Sequence, residues 1–219
     1  MRKPVYDTIL AQVKAALEGK KPEGDLSLFK DVRGNKITFS LKTYKTPRGL
    51  ATDLFSSKDA SYQIKGPMGS GLAMKKGGVH VAFCGGTGLF VYIDLVTHLA
   101  RRMMGLLSPV ELEMVQDDFK FILYASFPSR DRAIAIDFLD SVHKLSLKTG
   151  KNLFEVRWRI SSETKQRWDK PFILQALKDL KKVERLWVCG PPPMNEEFEK
   201  ILAAHHAELG MEFSDYDVM

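Results

Sequence analysis

The chain has 219 residues, 44% of them hydrophobic, which is enough for one generous core or two small ones. It has no run of about 18 uninterrupted apolar residues, which excludes a bilayer-spanning helix, and the opening MRKPVYDTIL lacks the apolar centre of a secretory signal. Cys84 and Cys189 are too few for a disulfide scaffold or a four-cysteine zinc site, and the net charge of +6 is scattered instead of gathered into the basic stripe that nucleic-acid binding requires.

In chain order, Val5, Ile9, Val13, Ala16 and Leu17 recur at helical spacing before Gly19 and Pro22, which predicts an amphipathic helix over residues 5–17. Residues 36–44 (KITFSLKTY) alternate as a half-exposed antiparallel strand does, and residues 62–65 form a second short strand running into Gly66-Pro67. Residues 1–70 are therefore expected to form a small α+β unit, and residues 71–219 a second domain of different texture. There, strand-like apolar runs at 79–84, 119–125, 153–160 and 185–189 alternate with helical patterns near 89–102, 131–147, 171–180 and 194–209, with a terminal strand at 216–218. Right-handed crossovers turn such a βαβ series into an α/β, Rossmann-like, doubly wound parallel sheet.

Ligands of these sheets sit at the carboxyl ends of the strands, so the loops there are the places to look for chemistry. After the first strand come Gly85, Gly86, Thr87 and Gly88, whose glycines would let backbone N–H groups approach a pyrophosphate at a helix start. A tight strand-to-helix turn with no ligand is the plain alternative. After the fourth come Cys189, Gly190, Pro191, Pro192, Pro193 and Met194, a rigid wall with a glycine that lets a planar ligand come near, or a purely structural helix start. Gly66-Pro67-Met68-Gly69 is a third Gly-rich turn. After the second strand, Ser129 and Arg130 would suit a 2′-phosphate, whereas Asp131 would suit ribose hydroxyls. A helix N-cap explains Ser129 or Asp131 nearly as well.

These three motifs, in this order, resemble the ferredoxin–NADP reductase superfamily, within it the cytochrome b5 reductase and ferric reductase branches, from Lys36 onward. The resemblance implies an NAD(P)H-dependent, flavin-type oxidoreductase module that passes electrons through FAD to a one-electron acceptor. It assigns Gly85, Gly86, Thr87 and Gly88 to the nucleotide, and places Cys189, the implied catalytic position, with Gly190 and Pro191 beside the nicotinamide. Pro192, Pro193 and Met194 would shape that pocket. It also implies a flavin-binding antiparallel barrel, of which residues 1–70 would be a truncated, incomplete form. Gly49 and Thr52 would contact the FAD pyrophosphate, and Gly66 and Gly69 would complete the turn. The Arg-x-Tyr-Ser/Thr flavin motif has no counterpart, the proline that usually follows the GGTG loop is replaced by Leu89-Phe90-Val91, and the chain closes on Tyr216-Asp217-Val218-Met219.

The incomplete barrel motivates a second expectation: an accessory subunit that keeps the reductase-like fold inside a larger assembly, such as a mitochondrial electron-transport complex, with a protein partner covering the N-terminal segment. The reduced cysteines point to an intracellular, reducing compartment, cytosol or mitochondrial matrix. His205-His206 point in different directions from a helix end and suggest solvated side chains, not a metal site. His80 and His98 read as core or edge histidines. Cys84 and Cys189 read as two buried thiols ending neighbouring strands, with a redox pair as the alternative.

Overall fold

The computed structural model of the chain describes residues 7–22, 71–165, 168–180 and 182–219. The expected strands at 36–44 and 62–65, and Gly49, Thr52, Gly66 and Gly69 with them, lie outside the described residues. Among those described, β1 (Val79–Gly85), β2 (Lys120–Phe127), β3 (Phe154–Ile160), β4 (Arg185–Cys189) and β5 (Tyr216–Val218) form one sheet in the order β3-β2-β1-β4-β5. Every pairing is parallel. The α-helices are α1 (Asp7–Leu17), α2 (Ile93–Met103), α3 (Pro109–Leu112), α4 (Ile136–Lys148), α5 (Lys170–Lys178) and α6 (Pro192–His205).

The central strands are mostly apolar because both faces are covered. On one face Phe83, Tyr124 and Val188 pack with Ile173 and Leu177 of α5 and with Phe198 and Leu202 of α6. Phe83 is fully buried and stacks on Tyr124 with centroids 4.4 Å apart, a burial that stabilises the fold by about 1.5–3 kcal/mol. Residues one step along each strand face the other way, where α2 and α4 pack. There His80 is fully buried and stacked between Phe119 and Trp187, 4.4 and 5.7 Å away. Its Nε2 accepts the Lys75 backbone N–H at 3.2 Å and its Nδ1 lies 3.2 Å from the Gly78 carbonyl, so the proton sits on Nδ1. Burial pushes its pKa down, and the ring is neutral.

α1 belongs to the same compact unit as the sheet. Its buried Ile9 and Val13 face α4, and Lys148 at the end of α4 donates to the Leu17 and Ala16 carbonyls at 2.6 and 3.3 Å. A cation there satisfies carbonyls that the helix leaves unpaired at its C-terminus.

The helical pattern expected at 89–102 divides into a 3₁₀ turn over Gly86–Tyr92 and then α2. Gly86, at φ 58°, swings the chain out of β1 and starts that tight turn. The pattern expected at 131–147 likewise opens as a 3₁₀ turn, Arg130–Arg132, before α4.

Candidate functional site

The strand order reverses at β1, whose neighbours are β2 and β4. The carboxyl ends of β1 and β4 are therefore the switch point, outside which open α/β sheets bind ligands in a crevice. The two loops predicted to carry chemistry both end there. Cys84 and Cys189 are register partners at the last rung of the β1–β4 ladder, so Gly85–Gly88 and Cys189–Met194 leave the sheet side by side.

The loops interlock through glycines. A Cβ on Gly88 would lie 2.1 Å from the Cys189 carbonyl oxygen, and one on Gly85 would lie 2.9 Å from Pro191 Cδ and 3.1 Å from Met194 Sδ. A Cβ on Gly190 would lie 2.5 Å from Met194 Sδ. At Gly88 the obstacle is backbone and at Gly85 a proline ring, so the second loop occupies the space, whereas at Gly190 it is the flexible Met194 side chain, which can shift. Gly86 is different: a Cβ there would meet no atom within 4 Å. Gly86 thus offers bare backbone to open space at the start of a helical turn whose N-cap residue, Gly85, makes no side-chain cap hydrogen bond. Unsatisfied N–H groups and the positive end of a helical dipole form a donor set that suits a pyrophosphate. The residues present therefore fit the phosphate end of a dinucleotide.

The second loop is held from behind. α6 begins with proline in its first turn, and the Met194 and Asn195 N–H groups donate to the Pro191 carbonyl at 2.9 and 3.2 Å. Proline fixes φ and gives up no needed donor at that position, so the wall is rigid. Asn195 also donates from Nδ2 to the Met219 carbonyl.

Beneath the loops the surroundings are dry. Burial pushes the Cys84 thiol well up, with Cys189 adding to it, and burial also raises Cys189. Both sulfurs are therefore thiols at neutral pH, not nucleophilic thiolates. The Tyr92 hydroxyl is buried among the same groups, with no hydrogen-bond partner and its pKa raised by that burial.

Gly85, Gly86, Thr87, Gly88, Cys189, Gly190, Pro191, Pro192 and Met194 are thus gathered around one crevice. Ser129 and Arg130 stand beyond the end of β2, on the same edge of the sheet, and are already engaged. Arg130 forks onto Glu163, Nε at 2.7 Å and a terminal nitrogen at 3.0 Å. A hydrogen bond from Ser129 holds the Asp131 carboxyl below its usual range. Glu163 had no place in the sequence reading because nothing local in SSET marks a partner 33 residues from Arg130. His205 and His206 turn to different neighbours, His205 to Glu208 at 2.9 Å and His206 to the Phe213 ring at 4.2 Å.

No family model and no curated protein matches the chain. Among solved structures it is similar to the cytochrome b5 reductase domain of Ulva prolifera nitrate reductase, at 16% identity and TM-score 0.43 over 64% of this chain and 49% of that one. A flavohemoglobin from Malassezia yamatoensis, with bound FAD and heme, matches at 18% identity and TM-score 0.47 over 78% of this chain and 40% of that one. A ferredoxin-NADP+ reductase from Plasmodium falciparum with 2'P-AMP matches at 14% identity and TM-score 0.38 over 57% and 48%. The chain spans less than half the length of each of these three. Among the described residues no helix is long and apolar enough to cross a membrane.

Proposed function

We propose that the crevice binds a nicotinamide dinucleotide and that the chain is an NAD(P)H-dependent, flavin-type oxidoreductase module. The observation that carries this reading is the pairing of an interlocked two-loop wall with one open glycine, Gly86, at the point where the strand order reverses. A structural turn would need the glycines that pack. Gly86, which the turn itself requires at φ 58°, also leaves its backbone facing open space at the start of a helical turn, where a phosphate can approach.

In this reading the pyrophosphate lies against Gly86 and Thr87, whose N–H groups neutralise charge without a lysine or arginine. Gly88 and Gly85 keep the second loop close enough for Cys189, Gly190 and Pro191 to line the nicotinamide side. The prolines fix that wall, so little conformational freedom is lost when a flat ring settles on it. Cys189, held as a neutral thiol, contributes a soft, uncharged surface beside the reacting ring and does not attack it. Gly49, Thr52, Gly66 and Gly69 would hold part of a FAD, which supplies hydride acceptance and single-electron release when bound.

Purified protein reconstituted with FAD should carry a yellow chromophore that NADH or NADPH bleaches without oxygen. Protein that binds nucleotide but never retains flavin would remove the redox half of the reading. Protein that binds neither would favour the accessory subunit that keeps only the fold.

A further inference from the structure

β1 and β4 carry a cysteine each at their carboxyl ends, and Cys84 and Cys189 are register partners on the last rung of the ladder between them. Phe83 and Val188, one step earlier on each strand, pack on the α5 and α6 face. Side chains alternate along a strand, so both thiols leave the sheet together on the opposite face. The Gly86–Tyr92 turn covers them there. A Cβ on Gly88 would lie 3.1 Å from the Cys189 sulfur, and Tyr92 is near enough to both thiols for their charge to bear on its hydroxyl. Cys84 is fully buried, Cys189 is half-buried, and neither is in a disulfide.

Register partners on neighbouring strands stand about 4.7–4.9 Å apart, inside the Cα span of about 4.4–6.8 Å that disulfides bridge. Cβ atoms that leave the sheet in parallel keep roughly that spacing, whereas a disulfide prefers about 3.8 Å, so closure draws the strand ends together by about 1 Å. The chain can give there, because Cys189 is the last residue of β4 and Gly190 follows it. A bond closed against such a pull is more readily reduced than a relaxed one. The dry surroundings disfavour both thiolates but not the disulfide, which carries neither charge nor ionisable proton.

We propose that Cys84 and Cys189 are a redox pair, closed by a low-molecular-weight disulfide of the glutathione class into a reversible intramolecular bond that withdraws Cys189 from the crevice. Cys189, the more accessible thiol, gives up its proton and attacks one sulfur of the external disulfide, and the first reduced thiol leaves with a proton. Cys84 then gives up its proton and attacks the Cys189 sulfur, and the second reduced thiol leaves with a proton. One S–S bond forms as one breaks, and two electrons pass from the protein thiols to the external disulfide. Each attack needs a thiolate, so closure is slow at neutral pH and faster as pH rises.

The full chain, first reduced, is held with excess oxidised glutathione at mildly alkaline pH, then unfolded in an alkylating reagent, and its mass and tryptic peptides are measured. The expected product is a single chain with no alkyl group and with its Cys84 and Cys189 peptides linked, reopened by excess reduced glutathione. Cys84→Ser should stop at the mixed disulfide, with one glutathione on Cys189. Chains that keep both thiols, that hold glutathione on Cys189 without linking, or that link only to a second chain overturn the proposal. Should Cys84→Ser fail to fold, the linked peptide in the unaltered protein and its reopening decide the matter.

The linked form should also bind NADH several-fold more weakly than the reduced one, because Cys189 leaves the nicotinamide side. This arm rests on the nucleotide reading above, and the linked peptide does not. Equal affinity in the two forms would overturn the coupling of the pair to the crevice. A reduced chain that binds no NADH would strike the nucleotide reading, and the linked peptide would still decide the pair.

Discussion

Gly86→Ala and Gly88→Ala differ by one methyl group two residues apart, yet the structure predicts opposite consequences. At Gly88 the new Cβ would start 2.1 Å from the Cys189 carbonyl oxygen, and ordinary contact begins at 3.4 Å, so the two loops must separate by about 1.3 Å, the difference of the two. Overpacking of that kind costs about 1–3 kcal/mol. For a chain of this size each kcal/mol lowers the thermal midpoint by about 2–4 °C. At Gly86 the methyl group meets nothing, and the cost is that of an alanine at φ 58°, about 1 kcal/mol, partly offset by a less flexible unfolded chain. If a pyrophosphate lies against Gly86, the same methyl group occupies its place. Gly86→Ala should therefore weaken NADH or NADPH at least about tenfold, or 1.4 kcal/mol, with little change in midpoint. Gly88→Ala should lose several degrees and binding together. Scanning calorimetry and nucleotide titration on both variants separate the two effects. Unchanged affinity in Gly86→Ala would refute the assignment of the open glycine, and an unchanged midpoint in Gly88→Ala would refute the interlock.

Three further outcomes follow from other parts of the edge and core. Glu163→Gln releases Arg130 from its forked partner and removes a carboxylate from the end of β3, so NADPH should gain several-fold on NADH. An unchanged preference would place the 2′ position elsewhere. Both thiols should react with a disulfide reagent far more slowly than a free cysteine at neutral pH, and Cys84 more slowly than half-buried Cys189. Fast modification of Cys84 would contradict its burial. His80 and His98 have pKa values pushed below 6.5 by burial, so an unfolded chain binds protons that the folded one does not. Stability is full above that value and falls as pH drops below it. Calorimetry in two buffers of different ionisation enthalpy should find net proton uptake on unfolding just below pH 6.5, and zero uptake would sink the claim.

The strands were legible because their burial leaves a one-dimensional mark. VHVAFC and RLWVC are apolar but for His80 and Arg185, as central strands with both faces covered tend to be, and the structure begins β1 and ends β4 where those runs do. The short helix α3 was missed although its signal is in the sequence: Ser108, Pro109 and Glu111 spell a capping box, and both its reciprocal bonds are present. β3 was located, but alternation gives Arg157 and Arg159 a shared face without saying that Tyr124 and Ser126 stand beside them. Composition marked the two loops as candidate chemistry. It could not distinguish the packed glycines, Gly85 and Gly88, from the open one, Gly86, since that depends on Cys189 and Pro191 arriving a hundred residues later. The docking of α1 on α4 has no sequence signal either. Apolar positions such as Ile9 and Val13 predict a buried face and leave its partner open.

Hydrogen exchange with and without NADH, resolved to short peptides, tests the central claim most directly. The account predicts slowed exchange in residues 85–92 and 189–195 together, because one ligand would shield both loops at the carboxyl ends of β1 and β4. Protection confined to other peptides, with these two unchanged while NADH is bound, would contradict it.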